Sequence, residues 1–245
     1  FFSLNFLAYE KTVLKYIFLP GFMCDERLFQ PQMIKLKSLG YDCSFFAPDT
    51  QASIPEMARD ILSSYNGPVF IIGLSMGGII ALEIALQAPK RVKGLAILNS
   101  TPFEDSLGEH RLEQIERVQK EGIEGLYKDE LKPQYIAPQN RTHELMDLVI
   151  DMAAQKGVGV FERQSLALVK RTSYENRLNE IQQSALILTG DADSVCGEKT
   201  ARYLADNLAN ATLTCVENCG HLSTLEQPEA VNDALLRFVK KLEGA

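Results

Sequence analysis

The sequence predicts an α/β protein built on a doubly wound, mostly parallel sheet, and three observations carry that expectation. Short runs rich in β-branched and aromatic residues alternate with segments of helical periodicity towards both ends of the chain, the rhythm of βα units. The runs at 69–72 (VFII), 92–98 (VKGLAIL) and 185–189 (ALILT) are almost continuously apolar, as strands buried on both faces must be. Between the last two the rhythm stops, and residues 103–181 hold helical patterns with no convincing strand.

Taken in order, residues 13–19 (VLKYIFL) read as the first strand, leading into the glycine turn Pro20-Gly21-Phe22-Met23-Cys24-Asp25. A helix over 28–39 follows, then a strand over 41–47 closed by Pro48-Asp49. Residues 54–64 read as a short amphipathic helix, because Ile54, Met57, Ala58 and Ile61 share one face at i, i+3, i+4 and i+7. The strand at 69–72 meets Gly73-Leu74-Ser75-Met76-Gly77, and Ile79, Ile80, Leu82, Ile84 and Leu86 then mark a buried helix that ends at Ala88-Pro89. After the strand at 92–98, helices are expected near 107–121, 123–131, 142–156 and 160–171, with Leu145, Val149 and Met152 forming one apolar core stripe. A helical block of this length between two strands has to cover something, and a cap over the loop end of the sheet is the economical reading. The sheet resumes at 185–189, followed by Gly190-Asp191-Ala192-Asp193, a helix over 198–208 and a strand over 211–216. The loop Glu217-Asn218-Cys219-Gly220-His221 leads to a closing helix over 228–242, with Val231, Leu235, Phe238 and Leu242 on one face. With no internal repeat or low-complexity linker, the chain 1–245 reads as a single domain with 103–181 inserted into it.

Composition narrows the classes of function. A chain of 245 residues with 46% hydrophobic and 23% charged residues can bury a sizeable core. Its net charge of −7, with no basic stretch, argues against nucleic acid as a partner. Five cysteines, an odd number without a compact framework, suit a reducing, cytoplasmic compartment rather than a disulfide-built secreted fold. No segment approaches the roughly 18 uninterrupted apolar residues of a membrane span, and the apolar start, Phe1 to Tyr9, lacks a basic lead, so no signal peptide is expected. The sequence carries no signal of oligomeric state.

The chemistry centres on Gly73-Leu74-Ser75-Met76-Gly77. A strand, a tight turn and a helix are the context in which Gly-x-Ser-x-Gly forms a nucleophile elbow. Gly73 and Gly77 let backbone pack closely around a turn that holds Ser75 in a strained conformation, beside the positive end of the next helix. A serine hydroxyl needs a base held against it. Of the three histidines, His110 and His143 lie on charge-rich helical segments and read as solvated, whereas His221 follows a strand and shares the sheet edge of Ser75. An imidazole in that role needs a carboxylate, and both Asp191 and Asp193 follow a strand at the same edge. Cys215, Cys219 and His221 fit no common zinc spacing, and neither a metal nor a cofactor is expected. Cys24 reads as a buried structural cysteine rather than a redox-sensitive thiol.

Three blocks make the chain resemble the α/β-hydrolase superfamily over nearly its whole length: Gly73-Leu74-Ser75-Met76-Gly77-Gly78; Leu186-Ile187-Leu188-Thr189-Gly190-Asp191-Ala192-Asp193; and Gly220-His221 with Glu226-Gln227-Pro228-Glu229 and a helix holding Phe238. The resemblance implies a catalytic Ser75, Asp193 and His221, choosing Asp193 because the family's apolar strand is followed by Gly-x-x-Asp. It also implies an oxyanion hole formed by the backbone N–H groups of Phe22 and Met76. Two departures stand out: Pro20-Gly21 replaces the family's His-Gly, and Cys196-Gly197 stands where proline is common. The short front end implies that one of the family's leading antiparallel strands is absent. The expected activity is hydrolysis of a small carboxylic ester or thioester through an acyl-serine. Acyl transfer or perhydrolysis on the same three residues, and a non-catalytic homologue that binds a small ligand, are the alternatives. Met23, Phe103 and Phe161 are expected to line the pocket together with Phe22 and Met76, giving it an apolar character.

Overall fold

The computed structural model describes residues 13–244. The expectations placed on the first twelve residues, namely no signal peptide and an absent leading strand, lie outside them. Among the described residues six strands form one sheet, β1 (Lys15–Leu19), β2 (Asp42–Phe45), β3 (Val69–Leu74), β4 (Val92–Leu98), β5 (Ser184–Gly190) and β6 (Asn210–Val216). Their order is β2-β1-β3-β4-β5-β6 and every neighbouring pair is parallel. All six residues of β3 are buried, the consequence of a central parallel strand covered on both faces.

The helices that cover the sheet before the insertion are α1 (Gln30–Ser38), α2 (Ile54–Ser64) and α3 (Met76–Gln87). Helix α3 is apolar nearly all round because it lies between the sheet and α2. After the insertion come α9 (Gly197–Asn207), the short α10 (Ser223–Glu226) and α11 (Pro228–Glu243). Gly94 and Ile97 lie three residues apart on β4 and therefore point to opposite faces. A Cβ on Gly94 would meet Phe70 and Leu242 of α11, whereas Ile97 reaches Gly78 of α3. The two helices thus cover opposite faces, and Phe70 and Phe238 meet edge-on beneath α11 with ring centroids 6.1 Å apart.

From β1 the chain steps outward to β2, then crosses back to β3 and continues through β6. The loops after β1 and β3 therefore diverge at the strands' C-terminal ends, the place where open α/β sheets leave a crevice. The segment between β4 and β5 is helical: α4 (Gly108–Glu121), α5 (Ile123–Leu126), α6 (Lys132–Tyr135), α7 (His143–Lys156) and α8 (Val158–Val169). The helix expected over 123–131 continues without interruption to Tyr135, with a π-helical turn over Tyr127–Leu131 joining α5 to α6. Gly157, at φ 80°, separates α7 from α8, so the last helix starts earlier than its apolar pattern suggested.

Polar contacts fasten this segment to the sheet loops. Lys156 Nζ lies 2.6 Å from Asp49 Oδ2, and Tyr174 donates its hydroxyl to Glu83 of α3 at 2.8 Å. Gln164 is fully buried: its Oε1 accepts from Met23 N–H at 2.8 Å, and its Nε2 donates to Pro48 O at 3.3 Å and Asp49 Oδ1 at 3.2 Å. Gln164→Leu keeps the volume and leaves those groups unsatisfied, so a loss of about 2 kcal/mol is expected, read as a lower urea midpoint at unchanged slope.

Candidate active site

Ser75 sits between the last residue of β3 and the first of α3 with φ 54° and ψ −115°. Such a conformation costs a side-chain-bearing residue about 1–3 kcal/mol and persists only where its surroundings over-determine it. Here they do. Ser75 N–H donates to Leu98 O at 2.9 Å, and its carbonyl accepts from Gly78 N, Ile79 N and Ser100 Oγ. A Cβ on Gly73 would lie 2.2 Å from Gly77 O, and one on Gly77 would lie 2.1 Å from Leu19 O, so the turn is pressed against the end of β1 and only glycine fits.

With its backbone fixed, Ser75 places Oγ 2.9 Å from His221 Nε2. His221 Nδ1 lies 3.1 Å from both carboxylate oxygens of Asp193. A carboxylate only accepts, so Nδ1 carries the proton, Nε2 is left as the acceptor, and the serine hydroxyl donates to it. His221 and Asp193 are both buried. Burial opposes ionisation of Asp193, but the neighbouring His221, the Asn99 amide and the Cys196 N–H more than offset it and hold the carboxyl well below the usual carboxylate range. Asp191, two residues away, is exposed and turned elsewhere; its Oδ1 accepts from Cys219 N–H at 3.0 Å and braces the histidine loop.

Three supporting residues have no role assigned by the sequence, although Glu226 stands in one of the blocks that carry the resemblance. Asn99, in the left-handed region at φ 46°, donates Nδ2 to Asp193 Oδ2 at 3.0 Å and to Gly220 O at 3.1 Å, while its Oδ1 accepts from Ser223 Oγ at 2.6 Å. Ser100 holds the carbonyl of the elbow. The two polar residues that end the apolar run of β4 at the edge carrying Ser75 are a readable signal. Glu226 has no comparable local signal of its role. Its Oε2 accepts from Gly220 N, Ala137 N and Asn140 Nδ2, each at 2.9 Å, and its Oε1 from Leu222 N at 3.1 Å. One carboxylate thereby ties the loop of His221 to the helical segment, whose Tyr135 carbonyl also accepts from His221 N–H.

Ser75 and His221 open onto a cavity of about 510 Å³ whose lining includes Phe22, Met76, Ile79, Phe103, Tyr135 and Leu168. The backbone N–H groups of Phe22 and Met76 have no partner among the described residues, and a Cβ on Gly21, which precedes Phe22, would lie 3.4 Å from Ser75 Cβ. Phe103 lies on the cavity lining, whereas Met23 and Phe161 do not. Met23, at φ 56°, is turned into the core with 1% exposure, and Phe161 is fully buried edge-on to Phe22 at 5.1 Å between ring centroids. The wall is mixed rather than wholly apolar, since Arg111, Arg171 and Asp105 contribute to it beside Phe22, Met76 and Phe103.

Asp193, Cys196 and His221 offer ligand-type atoms within 4.8 Å of one another. Both imidazole nitrogens already have hydrogen-bond partners, and burial pushes the Cys196 thiol far up, so the trio is arranged as a hydrogen-bonded set rather than a ligand set. Cys24 is buried, its thiol pushed up to about 12 chiefly by desolvation, which suits packing rather than redox chemistry. His110 and His143 are exposed. No helix among the described residues is long and apolar enough to cross a membrane.

The model of the alpha/beta hydrolase family matches residues 17–234, and the chain belongs to that family. It is 25% identical over 189 residues to the pimeloyl-(acyl-carrier protein) methyl ester esterase of Nitrosomonas europaea, covering 72% of this chain and 73% of that one. It is 30% identical over 217 residues to a 2-hydroxy-6-oxononadienedioate/2-hydroxy-6-oxononatrienedioate hydrolase of Paraburkholderia phymatum, covering 83% of this chain and 72% of that one. In three dimensions it resembles a thermophilic esterase from Thermogutta terrifontis with a TM-score of 0.86 at 22% identity, covering 94% and 91% of the two chains.

Proposed function

We propose that the protein is a serine hydrolase that cleaves a small carboxylic ester or thioester through an acyl-serine. The observation that carries this reading is the file Ser75 Oγ, His221, Asp193, hydrogen-bonded end to end at the mouth of the cavity. Ser75 Oγ attacks the substrate carbonyl while His221 Nε2 takes its proton; Asp193, ionised and buried, stabilises the imidazolium that forms. The carbonyl oxygen becomes an oxyanion facing the Phe22 and Met76 N–H groups, an arrangement commonly worth roughly 3 to 4 kcal/mol per donor. As the tetrahedral intermediate collapses, His221 returns the proton to the departing alkoxide or thiolate, leaving the acyl-serine. Water then enters, gives a proton to His221 and attacks the acyl carbon; the acid leaves and Ser75 regains its proton. The scheme draws only on side chains and backbone of this chain, with segment 103–181 acting as a cap on the single domain 1–245.

The ester bond as target is supported by the Nitrosomonas relative, which is named for a methyl ester. A fluorophosphonate probe followed by mass mapping tests the activated nucleophile. The adduct is expected on Ser75 in the wild type and absent in folded His221→Ala. Equal labelling of both proteins, or an adduct elsewhere, would remove the basis for the reading.

A further inference from the structure

The reaction outlined above leaves two arginines of the cavity unused. Arg111 stands in the first turn of α4, and Arg171 follows the end of α8; both line the same cavity as Ser75 and His221. Asp105 lies between them, its Oδ2 accepting from Arg111 Nε at 2.6 Å and its Oδ1 3.7 Å from Arg171 Nη1. The side chains of Asp105, Arg171 and Arg111 are only 3%, 7% and 17% exposed, so one carboxylate faces two guanidinium groups away from bulk water. The other acidic residues on the lining, Glu104 and Glu175, are exposed, where solvent screens them. One positive charge is therefore left over in a site that penalises an unpaired ion. Desolvation pulls Arg171 below its ordinary pKa, with Asp105 opposing and Arg111 adding to the effect, but a guanidinium stays charged.

The hydrogen-bond inventory agrees with the charge count. Arg171 spends Nε on Phe103 O at 3.0 Å and Nη1 on Leu168 O at 3.3 Å, while Nη2 has no partner among the described residues. Arg111 spends Nε on Asp105, and neither of its terminal nitrogens has a partner among them. These unused N–H groups are planar forks suited to two-point binding of a carboxylate. Arg111 also lies over the Phe22 ring, its Cζ 5.7 Å from the centroid, so the cation stands beside the residue whose N–H faces the reacting carbonyl.

We propose that the substrate is an ester or thioester that carries a second, free carboxylate, bound by Arg111 and Arg171 within the cavity that holds Ser75. This rests on the serine-hydrolase reading and names its substrate class. A single excess charge matches a monoanionic carboxylate, whereas a dianionic phosphate would remain partly uncompensated. The carboxylate sits a short chain away from the scissile carbonyl, because Arg111 adjoins Phe22.

The test compares kcat/KM for matched esters with and without the charge. One pair places it on the acyl side, p-nitrophenyl hydrogen glutarate against p-nitrophenyl pentanoate. The other places it on the alcohol side, 4-acetoxybenzoate against methyl 4-acetoxybenzoate. The anionic member of at least one pair is expected to be favoured by about tenfold or more, with the gain in KM, and the ratio to fall towards one in Arg111→Gln. Because Arg111→Gln also leaves Asp105 less well paired, a second measurement uses the wild type alone: glutarate should inhibit neutral-ester hydrolysis competitively where glutaramide does not. Turnover of neutral esters without any anion preference, a preference that survives in Arg111→Gln, or equal inhibition by the acid and the diamide would overturn this inference and leave the hydrolase reading standing. No turnover of either pair, together with no phosphonate adduct, would instead defeat that reading itself.

Discussion

Ser75→Ala is expected to lower kcat for a p-nitrophenyl ester by about 10⁶-fold, and the double variant Ser75→Ala, His221→Ala by hardly more than either change alone. One 2.9 Å hydrogen bond joins the two groups, and in the proposed mechanism they work as a unit. Without the hydroxyl, His221 has no oxygen to activate; without the imidazole, the hydroxyl remains a weak nucleophile. What should survive either loss is the contribution of binding and of the proposed oxyanion hole at the Phe22 and Met76 N–H groups, about 10³–10⁴ over water in comparable systems. The fold of Ser75→Ala should be untouched, because every hydrogen bond that fixes the elbow runs through the backbone of Ser75 or through Ser100, and its unfolding free energy in urea should stay within about 0.5 kcal/mol of wild type. Purified Ser75→Ala with activity within a hundredfold of wild type would rule out an acyl-serine. Multiplying losses in the double variant would show that serine and histidine act separately.

What could be read in advance follows the range of the interactions involved. The sheet strands and the elbow announce themselves locally: β-branched runs such as 69–72, and glycines whose missing Cβ is required within a few residues of chain. That His221 and Asp193 come together is legible because both follow strands of one parallel sheet, whose C-terminal ends meet. Separating Asp193 from Asp191 took the family resemblance, since alternation along a turn does not say which carboxylate faces inward. The cavity's charge was hidden for a different reason. Arg111 and Arg171 lie on charge-rich helical stretches, and in a sequence a buried arginine looks like any solvated one; only the return of α8 beside α4 brings them to Asp105. Gln164 and Glu226 are tertiary ties of the same kind, each binding backbone groups far away in the chain. A place in or near a loop does not say which way a side chain turns: Met23, at positive φ, and Phe161 are both packed in the core.

Asp193→Asn should cost about 10⁴-fold in kcat, the effect of the same change in serine proteases, with the protein still folded. The surroundings of Asp193 leave an amide no good orientation. Oδ1 accepts from the N–H groups of Val195 at 2.9 Å and Cys196 at 3.1 Å, and Oδ2 accepts from Asn99 Nδ2 at 3.0 Å. If the amide oxygen takes the first position, its NH₂ points at the Asn99 donor; if it takes the second, its NH₂ points at two backbone donors. In either case an NH₂ lies within reach of His221 Nδ1, which favours the tautomer with the proton on Nε2, the nitrogen that must accept from Ser75. The change also alters the dependence of stability on pH. A carboxyl held below its unfolded value stabilises the fold above the unfolded pKa of about 3.9, and that contribution is lost as pH falls through the folded value. The stability gap between wild type and Asp193→Asn, measured by urea unfolding, should therefore be present at neutral pH and shrink below about pH 4. An Asp193→Asn enzyme that keeps a tenth or more of kcat would show that His221 does not depend on this carboxylate for its tautomer.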